Sequence, residues 1–229
     1  MFALIALLTV AQAAPLELHE LPGTAINAPA GEFLIHPVAP SSWGITDNIM
    51  LQTSLLGWFG APNATVQLGL FHGDDSAGAV AVGAASTWDL SSVSASASGL
   101  YTRGDGQRSL SLTAGVGVSR TVSGDDEVVA ISTPVSGTWL KSLSDRSALR
   151  AYAQIDPLTM ARSQYFAGIV GGDWSYGWDY LRIGLGLALM NGQLIVTQLD
   201  TAGVDSTWVP VVIPFPTLAL WWRLGAPKG

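Results

Sequence analysis

The chain contains no cysteine, which excludes disulfide scaffolds, thiolate metal sites and cysteine nucleophiles. It is also poor in charge. Asp, Glu, Lys and Arg make up 12% of the residues, about half of the roughly 25% found in soluble domains. Positive charge is the scarcer sign, with 10 Lys and Arg against 17 Asp and Glu and a net charge of -7. A nucleic-acid partner would call for a basic surface, so that class is excluded. Long apolar runs are lacking too. A membrane-spanning helix needs about 20 consecutive apolar residues, and the one long apolar run, Phe2 to Val10, is far shorter. Yet hydrophobic residues account for 48% of the chain and mean hydropathy is +0.37. The chain is too apolar for an ordinary water-facing surface and has no helix to place in a bilayer.

Phe2 to Val10 has the length of the apolar part of a secretory signal. Ala11-Gln12-Ala13 follows as a small-x-small cleavage site, so residues 1–13 are expected to be a signal peptide cut before Ala14. No Lys or Arg precedes the apolar run. Residues 14–30 show little periodicity and are read as an extended leader on the periplasmic side. Residues 31–229 form the single remaining domain.

Within that domain the dominant signal is alternation with period two. From Arg108 to Arg120, Leu110, Leu112, Ala114, Val116 and Val118 share one face. Ser109, Ser111, Thr113, Gly115, Gly117 and Ser119 share the other. Residues two apart point the same way on a strand, whereas a helix would scatter them around its circumference. The same pattern returns over 92–102, 180–190 and 216–224. These runs are about ten residues long. Soluble strands are commonly about 5–6 residues, and a tilted strand crossing a bilayer needs about 9–11.

Turn signals separate the runs, among them Gly73-Asp74-Asp75-Ser76, Gly104-Asp105-Gly106, Ser123-Gly124-Asp125-Asp126 and Asn191-Gly192. Strands are expected near 31–43, 46–57, 63–72, 77–88, 91–103, 108–120, 126–140, 146–156, 163–172, 178–190, 193–201 and 211–224. That is about twelve, joined by short hairpins, with Thr201 to Pro216 the longest connection. Pro37, Pro40 and Pro134 fall inside expected strands and should mark bulges or strand ends.

The two faces of these strands differ in kind. One is aliphatic; the other is small, polar and nearly uncharged. A water-facing strand surface would carry Lys, Glu and Arg. In a transmembrane barrel the aliphatic face meets lipid and the polar face lines the interior. The expected fold is therefore all-β, a closed antiparallel up-and-down transmembrane β-barrel of about twelve strands. Closure also removes the open edges of a meander. The tryptophans fit: Trp58, Trp88, Trp139, Trp178, Trp221 and Trp222 fall near strand ends, where aromatic girdles meet the membrane interface.

Three short motifs carry a family resemblance: Pro29-Ala30-Gly31-Glu32-Phe33, Gly44-Ile45-Thr46-Asp47-Asn48-Ile49 and Ser142-Leu143-Ser144-Asp145-Arg146. With the strand pattern, they make the chain resemble a broad group of bacterial outer-membrane β-barrel proteins. The resemblance implies export to the outer membrane of a Gram-negative-type bacterium, lipid as the surrounding partner and insertion by a barrel-assembly machinery. Such proteins often finish on a terminal aromatic, whereas this chain continues past Trp222 to Gly229.

Sites of chemistry are sparse. His72 lies beside Asp74 and Asp75, but no nucleophile motif accompanies it. Asp74, Asp75, Asp125 and Asp126 match no calcium loop and are better turn residues. No catalytic residue, metal site or cofactor is expected. Arg150, Arg182 and Arg223 are different, because alternation puts all three on the inward face. Either they line the lumen as a basic patch open to small anionic solutes, or acids such as Glu127 or Asp179 neutralise them. The function expected is a passive narrow pore, or a structural or surface protein of the outer membrane. The alternatives are a secreted soluble all-β binding module and, further off, a barrel-embedded lipid-modifying enzyme.

Overall fold

The computed structural model describes residues 23–225 except 38, 106, 164–167, 179 and 201–202. The expected signal peptide and the first part of the leader lie outside these residues, as does Asp179.

The strands are β1 (Phe33–Ile35), β2 (Ser41–Thr46), β3 (Ile49–Thr53), β4 (Asn63–His72), β5 (Ser76–Ser86), β6 (Ser92–Gly104) and β7 (Arg108–Ser123). Then come β8 (Asp126–Ser132), β9 (Val135–Ser142), β10 (Ser147–Ile155), β11 (Gly168–Gly177), β12 (Leu181–Asp200) and β13 (Gly203–Leu224). One short helix, α1 (Pro157–Ser163), joins β10 to β11. Each strand runs antiparallel to its neighbours, and β1 pairs with β13, so the sheet closes. The ring holds twelve strands; the thirteenth, β8, pairs with β7 alone.

The count of twelve agrees with the sequence, although three of its parts do not. The expected strand 31–43 is two, because Pro37 and Pro40 belong to the turn between β1 and β2. The expected strand 126–140 breaks at Thr133-Pro134, and its halves pair with successive stretches of β7. The expected strands 178–190 and 193–201 are one. Asn191 and Gly192 sit in mid-strand opposite Val212 and Val211, and the turn lies between Asp200 and Gly203. The stretch Thr201 to Pro216, expected as a loop, is largely strand β13. Its prolines are tolerated for a geometric reason. The amide of Arg223 donates to the Tyr180 carbonyl on the β12 side. Register is unbroken along the pair, so odd-numbered amides of β13 face β12. Pro210, Pro214 and Pro216 are even-numbered and remove no bond between the two strands.

The ends of the barrel differ. At one end, chain segments of two to four residues join the strands: 47–48, 73–75, 105–107, 143–146 and 178–180. Side chains close these turns. Asp105 Oδ1 accepts from the amides of Gln107 and Arg108, each at 2.8 Å. The other end carries the longer connections 36–40, 54–62, 87–91 and 156–167, together with the far half of the β12–β13 hairpin. In one of these, hydrogen bonds from the Thr87 hydroxyl and from Ser91 hold the Asp89 carboxyl below the usual carboxylate range, with a pKa of about 2.

The wall has its greasy side out. Leu110 and Leu112 are 47% and 48% exposed, while the intervening Ser109 and Ser111 are 6% and 2% exposed. The same order holds for Val80 and Val82 against Ala79 and Ala81, and for Leu185, Leu187 and Leu189 against Ala188. A soluble sandwich would bury the leucines and expose the serines.

Candidate functional site: the barrel lumen

The interior begins with a segment that the sequence pattern placed outside it. Residues 23–30, expected as part of a periplasmic leader, run through the lumen near the short-turn end. The Ala25 amide donates to Thr102 Oγ1 at 2.8 Å, and the Thr113 hydroxyl donates to the Gly23 carbonyl. Gln67 Nε2 reaches the Thr24 carbonyl at 3.1 Å and Asn27 Oδ1 at 2.9 Å. The amide of Ala28 meets Met50 Sδ, and that of Ala30 meets Asp47 Oδ1. Thr24, Ala25 and Ala28 are buried. Ala25 and Ile26 pack on the inward residues Ala77, Ala79, Ala81 and Leu100. Gly44 allows a close approach: a Cβ there would clash with the Pro29 carbonyl oxygen. The segment is weakly periodic because it belongs to no sheet. It is rich in small residues because it must fit between walls.

All three sequence-predicted arginines face inward, and the structure supplies their surroundings. Arg150 Nε donates to Asp173 Oδ2 at 2.9 Å, across the β10–β11 pair. Its guanidinium also lies 5.1 Å from the centre of the Tyr152 ring. Arg223 Nε lies 2.7 Å from Glu32 Oε1, and Glu32 is fully buried. Arg182 is buried with Nη1 directed to the Arg146 carbonyl at 3.4 Å. Its guanidinium fills the space beside Gly177, its cross-strand neighbour, where a Cβ would clash at 2.6 Å. Pairing, one of the two alternatives, is thus what the structure has for Arg150 and Arg223, with Asp173 and Glu32 as the acids. Glu127 pairs instead with Arg120 on the outer face at 2.9 Å, where both are half-exposed. Neither acid was identified from sequence, because cross-strand register is needed to find Asp173 and the inward course of residues 23–32 to find Glu32.

Five of the six predicted interface tryptophans lie on the outside. Trp58 and Trp88 are exposed at the long-loop end, their rings edge to face at 6.2 Å. Trp139 is exposed and Trp222 half-buried near the short-turn end. Trp178 stands there too, edge to face with Tyr176 at 5.0 Å. Phe71, Tyr101 and Trp174, together with the stacked pair Phe33 and Trp43, extend this belt around the wall. Trp221 does not belong to it. It is 4% exposed and points inward, packed with Leu140 and Ala148 and stacked on His36 at 5.4 Å. Adjacent strand residues point to opposite faces, so Trp221 and Trp222 cannot both be outside.

Toward the long-loop end the described residues leave a cavity of about 530 Å³. It lies between Gly23, Ala39 and Pro40 on one side and the inward side chains Ser136, Thr138, Arg150, Tyr152 and Gln154 on the other. Searches for relatives add nothing to this picture: no protein-family model matches the chain, and no curated protein matches it either.

Proposed function

We propose that this protein is an outer-membrane β-barrel with a structural or surface role, its lumen stoppered at the short-turn end by residues 23–30. One observation carries the reading. A closed wall exposes leucine and valine on the outside and buries serine, threonine and paired arginine within, which is the arrangement hydrocarbon solvates and water does not. The aromatic belts support it, since tryptophan and tyrosine favour the membrane–water interface. The asymmetry of the ends supports an orientation, with the short turns and residues 23–30 on the periplasmic side and the longer connections outward. The filled lower lumen favours a structural role over a free pore, because solute would have to displace a segment held by several hydrogen bonds.

Three measurements test the reading. Folded chain reconstituted in liposomes should resist carbonate extraction and migrate faster on a gel unboiled than boiled. It should also pass no small sugar in a liposome-swelling assay. A chain that stays in solution without detergent would refute the membrane assignment. Rapid swelling would refute the stopper.

A further inference from the structure

We propose that the barrel has a lateral opening above β1–β3 through which a membrane amphiphile inserts an uncharged, hydroxyl-rich head group into the lumenal cavity. The inference rests on the membrane reading above. It starts from strand length. β1 has three residues, β2 six and β3 five, whereas about 9–11 are needed to cross a bilayer. These strands are flush with their neighbours at the short-turn end, where Phe33 pairs with Leu224, the last residue of β13. The deficit is therefore all at the other end. There β13 continues to Gly203, while β1 pairs only with Trp222, Arg223 and Leu224.

The edge of β13 that borders this gap is fitted to remain unpaired. An open strand edge in hydrocarbon leaves amides without acceptors, which hydrocarbon cannot satisfy. Even-numbered amides of β13 face the gap, and Pro210, Pro214 and Pro216 occupy three of those positions with no N–H to leave unsatisfied. On the far side of the gap, the 54–62 connection exposes Leu55, Leu56, Trp58 and Phe59. Its floor is the 36–40 turn, and the same turn contributes Ala39 and Pro40 to the cavity wall.

The cavity selects the head group. At about 530 Å³ it falls within the range of small-molecule sites, roughly 300–1,000 Å³. Thr138, Gln154 and the Tyr152 ring offer hydrogen bonds and an aromatic face. Arg150 is already matched by Asp173, so hydrogen bonding rather than net charge sets the preference. The acyl chains would stay in the bilayer along the outward Leu218 of β13, which is exposed.

The full chain is folded into phosphatidylcholine nanodiscs doped with a galactosyl diacylglycerol, and retained lipid is counted by native mass spectrometry. The expected result is saturable retention of one galactolipid, at least tenfold preferred over phosphatidylcholine. Thr138→Trp, which fills the cavity, should abolish retention, and Gln154→Ala should weaken it severalfold without filling anything. Val118→Ala, on the outer face of β7, should leave it unchanged. No preference between the two lipids overturns the proposal, as does equally tight binding of free galactose, which would need no lateral route. A chain that never enters the nanodisc overturns the membrane reading itself and this inference with it.

Discussion

The two halves of the lumen are walled by the same kinds of residue and hold different contents. Near the short turns, alanines of β5 and threonines of β6 and β7 meet residues 23–30, and Arg223 meets Glu32. Toward the long connections, Ser136, Thr138 and Gln154 surround a cavity. Small inward side chains do not fill a twelve-stranded barrel by themselves. Where residues 23–30 lie, they close on the segment; beyond Gly23 the described residues leave space. The half that is packed should therefore carry the stability, and the half that is empty should tolerate change.

The largest effect is expected from the buried ion pair of the packed half. Arg223→Ala leaves the Glu32 carboxylate without its guanidinium, and removing one partner of such a pair costs about 3–5 kcal/mol. Urea unfolding of the barrel in detergent measures it. Second comes the outer wall that both halves share. Leu112→Arg should destabilise the bilayer-inserted protein by about 2–4 kcal/mol if the position is near the midplane, read from unfolding in lipid vesicles. Third is the stopper. Gln67→Ala removes the hydrogen bonds that Gln67 donates to the Thr24 carbonyl and Asn27 Oδ1, for about 1–3 kcal/mol, and should raise hydrogen exchange selectively over residues 23–30. Smallest is the empty half, where Ser136→Ala should shift stability by no more than about 0.5 kcal/mol. Equal losses for Gln67→Ala and Ser136→Ala would erase the distinction between the halves.

Most of the wall was legible because its signal is local. Alternation at Ser109 to Val118 names both faces, and the β4 boundaries expected at 63 and 72 are those of the structure. Proline marked real breaks at Pro37, Pro40 and Pro134. It marks no break at Pro210, Pro214 and Pro216, where the missing amides face away from the partner strand. The inward arginines were readable from parity alone. Their acids were not, because Asp173 is set by the register between β10 and β11, and Glu32 by the way the chain enters the lumen. Residues 23–30 were missed for a related reason. A segment that fills a barrel has no periodicity of its own, and the hint available was indirect: the inward face of β5, Ala77, Ala79 and Ala81, is too small to occupy the interior.

The central claim is that the aliphatic face is solvated by lipid tails, and the absence of cysteine makes it directly measurable. Leu112→Cys and Ser111→Cys, one residue apart on β7, would each be labelled with a small fluorophore and reconstituted in vesicles whose acyl chains carry a nitroxide quencher. The account predicts strong quenching at position 112 and weak quenching at position 111. Equal quenching at the two, or the reverse order, would contradict it.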